Sequence, residues 1–299
     1  MITRRSLLAS AAVAPVAAAV HSSTAAQEAT PAVKVSTDMG VVYREVEDQT
    51  LLLDVYRPPE RATPRPAVVL MYGGGLMVGD RTWMADAAQG LAEAGYVAFS
   101  IDYRLFDGVA RNPWPAQLDD AQGAVRWIRA NADTYGVAPD RIGSYGHSSG
   151  AQLAAFLGTR DTRENTDPAL EGVSSRVACV VDMAGGMDYT IPAPDDETAA
   201  QLAVLLGGTA DAPPDEAAYR DYSPITFVDE ETAPFLILQG GADSPTNIEN
   251  SRKMEATLRE TGVEVVYGEF PDLDHFAWDW AHAGPWTRPF LDQHLHPEA

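Results

Sequence analysis

The chain has 299 residues, of which 43 are Asp or Glu and only 21 are Lys or Arg, so its formal net charge is −22. With 45% hydrophobic residues, a chain of this length can bury a complete core. The strong negative charge argues against binding to nucleic acid or to anionic membrane surfaces, and it favours solubility.

The N-terminal residues resemble an export signal. Residues 3–8 are Thr-Arg-Arg-Ser-Leu-Leu, the pattern of a twin-arginine signal, and a run of small apolar residues follows. We expect an export signal over residues 1–26, a loose leader over 27–39 and a single α/β domain over 40–299. The alternative is an uncleaved membrane anchor, which Pro15 and the many alanines make a weak permanent span. The sequence therefore predicts a periplasmic or extracellular protein without stable membrane insertion.

Apolar β-rich runs alternate with helical patterns along the chain. The predicted strands are TLLLDVYRP, PAVVLMYGGG, YVAFSIDYRL, RIGSYG, VACVVDMAGG, PFLILQGGAD and VEVVYGEF. Helices are predicted around residues 84–94, over 115–134, from Ser149 onward, over NIENSRKMEATLRETG and around TRPFLDQHL. This alternation predicts a mainly parallel sheet with helices on both faces. Residues 187–221 interrupt it, and we expect this insertion, with one helical run, to lie over one edge of the sheet.

A serine between two glycines marks the junction of a predicted strand and a predicted helix. The stretch is Gly146-His147-Ser148-Ser149-Gly150. A tight strand-to-helix turn brings its flanking atoms close together, so the flanking positions must lack bulky side chains. It also lifts the central serine clear of the sheet, at a helix N-terminus that favours negative charge. The pattern favours Ser148 as a nucleophile over a simple helix cap.

A serine nucleophile needs a base and an acid that orients the base. Six histidines are present, and His275 follows the last predicted strand, where a parallel sheet presents its loop to a site. His282 is the alternative. His147 is not predicted to be the base, because its side chain is expected to point away from the serine.

The orienting acid is expected after the strand PFLILQG, which gives the chain order Ser, acid, His. Asp243 occupies that position, and Asp182, at the end of another strand, is the alternative. Asp272 and Asp274 are expected to form the local turn.

Three successive glycines in MYGGGLMVGD follow an early strand. Glycines let backbone N–H groups approach the oxyanion of a tetrahedral intermediate closely. A flexible turn is the alternative interpretation. Neither a metal nor a cofactor is predicted, since no Cys/His cluster has zinc-ligand spacing.

Together these segments resemble the α/β-hydrolase fold, over about residues 40–292. The resemblance is to the esterase branch related to hormone-sensitive lipase and to small bacterial acetyl and feruloyl-type esterases. It implies a nucleophile, a base, an orienting acid and three oxyanion-binding N–H groups: Ser148, His275, Asp243, Gly74, Gly75 and Ser149.

Two positions depart from this family's pattern. The family usually has His-Gly-Gly-Gly followed by an aromatic residue, whereas this chain has Tyr72 before the glycines and Leu76 after them. The usual valine-proline after the acid is also absent. We expect Tyr72, Leu76 and Trp278 to contact substrate. Further candidates for an apolar pocket are Met77, Trp83 and Trp280. The alternative is that these apolar side chains belong to the core, to which each is equally suited.

The predicted function is a serine carboxylester hydrolase that acts on small soluble esters through an acyl-enzyme. A peptidase or amidase with the same triad is the first alternative. A non-catalytic binding protein on a hydrolase fold is the second, and it would need a broken triad.

Overall fold

One sheet of eight strands organises the computed structural model, which describes residues 34–59, 64–163, 167–193 and 195–295. The strands are β1 (Ser36–Val46), β2 (Gln49–Arg57), β3 (Arg65–Met71), β4 (Val97–Ile101), β5 (Val137–His147), β6 (Val180–Met183), β7 (Phe235–Gly240) and β8 (Val265–Phe270). Their order across the sheet is β1-β2-β4-β3-β5-β6-β7-β8. The pairs β1–β2 and β2–β4 are antiparallel, and all other pairs are parallel.

Helices connect the parallel strands. In the part of the chain that the structure describes they are α1 (Ala85–Glu93), α2 (Ala116–Ala130), α3 (Ala132–Tyr135), α4 (Ser149–Thr159), α5 (Asp196–Leu205), α6 (Glu216–Asp221), α7 (Ile248–Thr261) and α8 (Trp280–Leu295). Every residue of β4, β6 and β7 is buried, whichever side of the sheet it points to. Both faces of the sheet are therefore covered, and the predicted α/β class is confirmed.

The N-terminal boundary of the domain differs from the prediction. Strand β1 begins at Ser36, inside the predicted leader 27–39, and residues Val33–Ala299 form one compact unit. β1 is a half-exposed edge strand without a continuous apolar run, so its sequence gives little signal. The predicted export signal over 1–26 lies outside the described residues and stays a prediction. No helix in the described ranges is long and apolar enough to cross a membrane.

The insertion and the C-terminal helix also differ from the prediction. The insertion contains a second helix, α6, which is only six residues long and starts at an Asp215 cap. The insertion also packs against the chain before α2: the Trp114 backbone N–H donates to the Leu205 carbonyl at 3.0 Å. Helix α8 starts at Trp280, well before the predicted segment, and continues through Pro285 and Pro289.

Candidate active site

The serine turn lies between β5 and α4. Ser148 has φ 56° and ψ −125°, a backbone conformation that a residue with a side chain rarely adopts. A Cβ on Gly146 would lie 2.2 Å from the Gly150 carbonyl oxygen, and a Cβ on Gly150 would lie 2.2 Å from the Met71 oxygen. The predicted need for small residues on both sides of the serine is therefore confirmed. The turn is a nucleophile elbow, with the serine at its apex.

Three side chains from separate loops form one hydrogen-bonded line. The Ser148 Oγ lies 2.9 Å from His275 Nε2, and His275 Nδ1 lies 2.8 Å from Asp243 Oδ2. His275 is 4% exposed, and the Asp243 side chain is fully buried. In this arrangement the histidine can donate from Nδ1 to the carboxylate and accept the serine proton at Nε2.

Further hydrogen bonds fix the Asp243 carboxylate. Its Oδ2 also accepts from the Gln239 side-chain amide at 3.0 Å, and its Oδ1 accepts from the Thr246 backbone N–H at 2.8 Å. The Ser251 hydroxyl donates to the Gln239 amide oxygen at 2.7 Å. These hydrogen bonds orient the carboxylate toward His275, and Ser251 in turn holds Gln239.

The alternative base and acid lie elsewhere. His282 pairs with Asp279 at 2.7 Å on the surface, with half of its side chain exposed. Asp182 is fully buried, its Oδ1 accepts from the Gly185 N–H at 3.0 Å, and burial raises the pKa of its carboxyl to about 7. Neither residue hydrogen-bonds His275. Among the described residues, no group of three or more His, Cys, Asp or Glu side chains could hold a metal ion.

The glycine loop after β3 lies beside the elbow. Gly74, Gly75 and Ser149 line the same cavity as Ser148. The Gly74 carbonyl accepts the N–H groups of the two residues that close the turn, at 3.1 and 3.2 Å. The N–H groups of Gly74, Gly75 and Ser149 themselves make no hydrogen bond to another described residue. Three backbone donors thus remain available in the wall of the cavity that holds Ser148.

Two hydroxyl groups hold the glycine loop in place. The Tyr103 hydroxyl donates to the Tyr72 carbonyl at 2.8 Å, and the two rings stack with centroids 4.4 Å apart. The Ser149 hydroxyl accepts the Leu76 N–H at 3.2 Å. Ser149 therefore connects the elbow to the loop through its side chain, a contact that the sequence analysis missed.

The structure corrects two of the three predicted substrate contacts. Tyr72 and Leu76 are 2% and 0% exposed, belong to the hydrophobic core and do not line the cavity. Their side chains support the glycine loop from the core, and at these two positions no side chain faces the site. Trp278 does line the cavity.

The cavity in front of Ser148 has a volume of about 670 Å³. Met77 and Trp83 line it as predicted, but Trp280 does not, because its indole packs against Gly90 of α1. The insertion supplies much of the wall, including Leu202 and Leu205 of α5. The insertion thus forms part of the cavity wall, and its predicted position over one edge of the sheet stays a prediction.

His147 makes a contact in the site that its position in the sequence does not indicate. Its Nε2 lies 2.8 Å from the His275 carbonyl oxygen, across 128 positions of sequence. Burial lowers the pKa of His147 to about 4, so its ring is neutral near pH 7. A carbonyl can only accept, so Nε2 carries the proton. This is the one hydrogen bond that the His275 carbonyl accepts within the described ranges, and it ties the base to the elbow.

Replacing His147 by phenylalanine is expected to lower kcat for a short ester about tenfold, the effect of losing one hydrogen bond of roughly 1.4 kcal/mol. The substitution His147→Gln should restore most of the rate, because its amide N–H can reach the same carbonyl. Steady-state kinetics with thermal unfolding of both variants checks this. Equal rates for the two variants would show that the hydrogen bond does not position the base.

The strand order, the elbow and the hydrogen-bonded Ser-His-Asp line define the class of the protein, an α/β-hydrolase fold with a serine-hydrolase type of site. The chain belongs to the BD-FAE family, whose model matches residues 53–258. That match includes Ser148 and Asp243 and ends before His275.

Known proteins similar to this chain carry esterase names. Esterase LipC of Mycobacterium tuberculosis is 31% identical over 241 residues, 77% of this chain and 57% of that protein. The probable carboxylic ester hydrolase LipM of the same organism is 30% identical, over 75% of this chain and 52% of that protein. This chain thus spans little more than half the length of these relatives. A truncated carbohydrate esterase from gut microbiota superposes with a TM-score of 0.76 at 26% identity, covering 90% of this chain and 99% of that one.

Proposed function

We propose that this chain is a serine carboxylester hydrolase that acts on small soluble esters. The observation that carries the proposal is the 2.9 Å contact between Ser148 Oγ and His275 Nε2, next to three unused backbone N–H groups. The esterase names of the similar proteins support the same reaction class.

Acylation begins when the Ser148 hydroxyl attacks the carbonyl carbon of the ester. His275 Nε2 takes the hydroxyl proton as the Oγ–C bond forms, and the Asp243 carboxylate stabilises the imidazolium through Nδ1. His275 then gives that proton to the alcohol oxygen as the C–O bond breaks. The alcohol leaves, and the acyl group stays on Ser148.

The developing oxyanion is bound by the N–H groups of Gly74, Gly75 and Ser149. Such donors are fixed before the reaction, so they stabilise the transition state without reorganising. Ser149 also lies in the first turn of α4, where the helix dipole favours negative charge.

Water completes the cycle by the same steps. His275 deprotonates a water molecule, which attacks the acyl-enzyme, and the proton returns to Ser148 Oγ as the acid leaves. The insertion over residues 187–221 is short for a lipase-type cap, which favours small soluble esters over long-chain lipids.

The test is hydrolysis of p-nitrophenyl acetate, butyrate and decanoate, with p-nitroacetanilide as the matched amide. We expect rapid turnover of the two short esters, slower turnover of the decanoate and amide hydrolysis at least about a hundredfold slower. A folded protein that hydrolyses none of the esters would overturn the proposal in favour of a binding protein. An amide rate equal to the ester rate would indicate an amidase.

A further inference from the structure

Exposed apolar side chains cluster at the mouth of the cavity. Of the eight large hydrophobic side chains exposed in the described part of the chain, Val78, Trp83 and Phe276 line this cavity. Phe276 is the most exposed of the eight, at 81%. Single exposed apolar side chains are ordinary on protein surfaces, but three around one opening indicate a surface that a ligand covers.

Phe276 has a fixed position next to the base. Its ring lies 5.2 Å from the His275 ring, at an interplanar angle of 88°. Its backbone N–H donates to the Asp274 carboxylate at 2.9 Å, and the preceding carbonyl accepts from His147. The peptide unit before Phe276 is thus held on both sides, and its exposed side chain lines the cavity.

The chemistry of the reaction decides which half of an ester meets this ring. The alcohol oxygen must receive its proton from His275 Nε2, so the alcohol half lies beside the imidazole. The acyl half stays bonded to Ser148 Oγ. A substituent on the alcohol therefore lies in the part of the cavity next to the imidazole, and the Phe276 ring is 5.2 Å from that imidazole.

We infer that Phe276 forms a leaving-group subsite that favours alcohols with a flat apolar ring. The inference rests on the proposed esterase function. The phenyl side chain has no hydrogen-bonding group, so it distinguishes alcohols by shape and apolar surface. A ring on the alcohol covers the exposed phenyl face, whereas a methyl group is too small to do so.

The test compares benzyl acetate with methyl acetate, which form the same acetyl-enzyme and release alcohols of similar acidity. The kcat/KM value reports acylation, so their ratio isolates the alcohol half. We expect wild-type protein to prefer the benzyl ester, and Phe276→Ala to lower the benzyl-to-methyl ratio about tenfold, the effect of truncating one well-placed aromatic contact. Phe276→Trp should retain the preference.

Val109→Ala is the matched control, because Val109 is 74% exposed and lies outside the cavity. It should leave the ratio at the wild-type value. An unchanged ratio in Phe276→Ala would overturn the inference, as would an equal loss for both esters, which would mean that the ring only supports His275. Absence of hydrolysis of both esters by wild-type protein would instead overturn the proposed function.

Discussion

Replacing Ser148 by alanine is expected to lower kcat for p-nitrophenyl acetate by about a million-fold, the order seen when a triad nucleophile is removed. No neighbouring hydroxyl can replace that of Ser148, because the elbow places the Ser148 Oγ itself 2.9 Å from His275 Nε2. Serine and alanine both carry a Cβ, so the substitution does not change the backbone strain at φ 56°. Thermal unfolding should therefore show a variant that is folded but inactive.

Ser149→Ala is the control for this experiment, because it removes the neighbouring hydroxyl and keeps the backbone N–H. Its hydroxyl accepts the Leu76 N–H at 3.2 Å, and losing this contact is expected to lower kcat by about tenfold or less. Equal losses in the two variants, or full activity in Ser148→Ala, would contradict the assignment of Ser148 as nucleophile.

Replacing Asp243 by asparagine is expected to lower kcat by about 10³- to 10⁴-fold. An amide cannot stabilise the imidazolium, and its NH₂ group can impose the wrong tautomer on His275. The amide oxygen can still accept from the Thr246 N–H, but the NH₂ group then faces His275 and the Gln239 amide donor, so the loss includes that contact. Steady-state kinetics at saturating ester gives the value.

Asp182→Asn provides the comparison, because Asp182 was the alternative acid and does not contact His275. Its carboxyl is buried with a raised pKa, so an uncharged amide is a mild change, and kcat should stay within about tenfold of wild type. A larger loss in Asp182→Asn than in Asp243→Asn would reverse the assignment of the orienting acid.

Much of the fold could be predicted because its signals are local. Most of the strands from β2 to β8 are short apolar or β-rich runs that turn residues end, so each can be predicted from a short window. Strand β1 is not predicted because polar and charged residues interrupt its few apolar ones. Helix α6 was missed because six residues cannot show an apolar period.

The candidate site also contains residues that the sequence predicts and contacts that it does not. Ser148, Asp243 and His275 could be chosen because each follows a recognisable strand, and parallel strands bring their carboxyl ends to one edge of the sheet. The contact between His147 and the His275 carbonyl could not be predicted from the sequence, because it depends on how two distant loops meet. Tyr72 and Leu76 were assigned to substrate because sequence cannot show which side of the glycine loop faces the cavity.

The most direct test of the central claim is the site at which the protein is modified by paraoxon, an organophosphate that reacts with activated serine nucleophiles. Release of p-nitrophenol gives the number of groups added, and peptide mass spectrometry gives their position. We predict one diethyl phosphoryl group per chain, on Ser148, with esterase activity lost in proportion to labelling. Complete loss of activity with the group on another residue, or continued ester hydrolysis by fully labelled protein, would contradict this account.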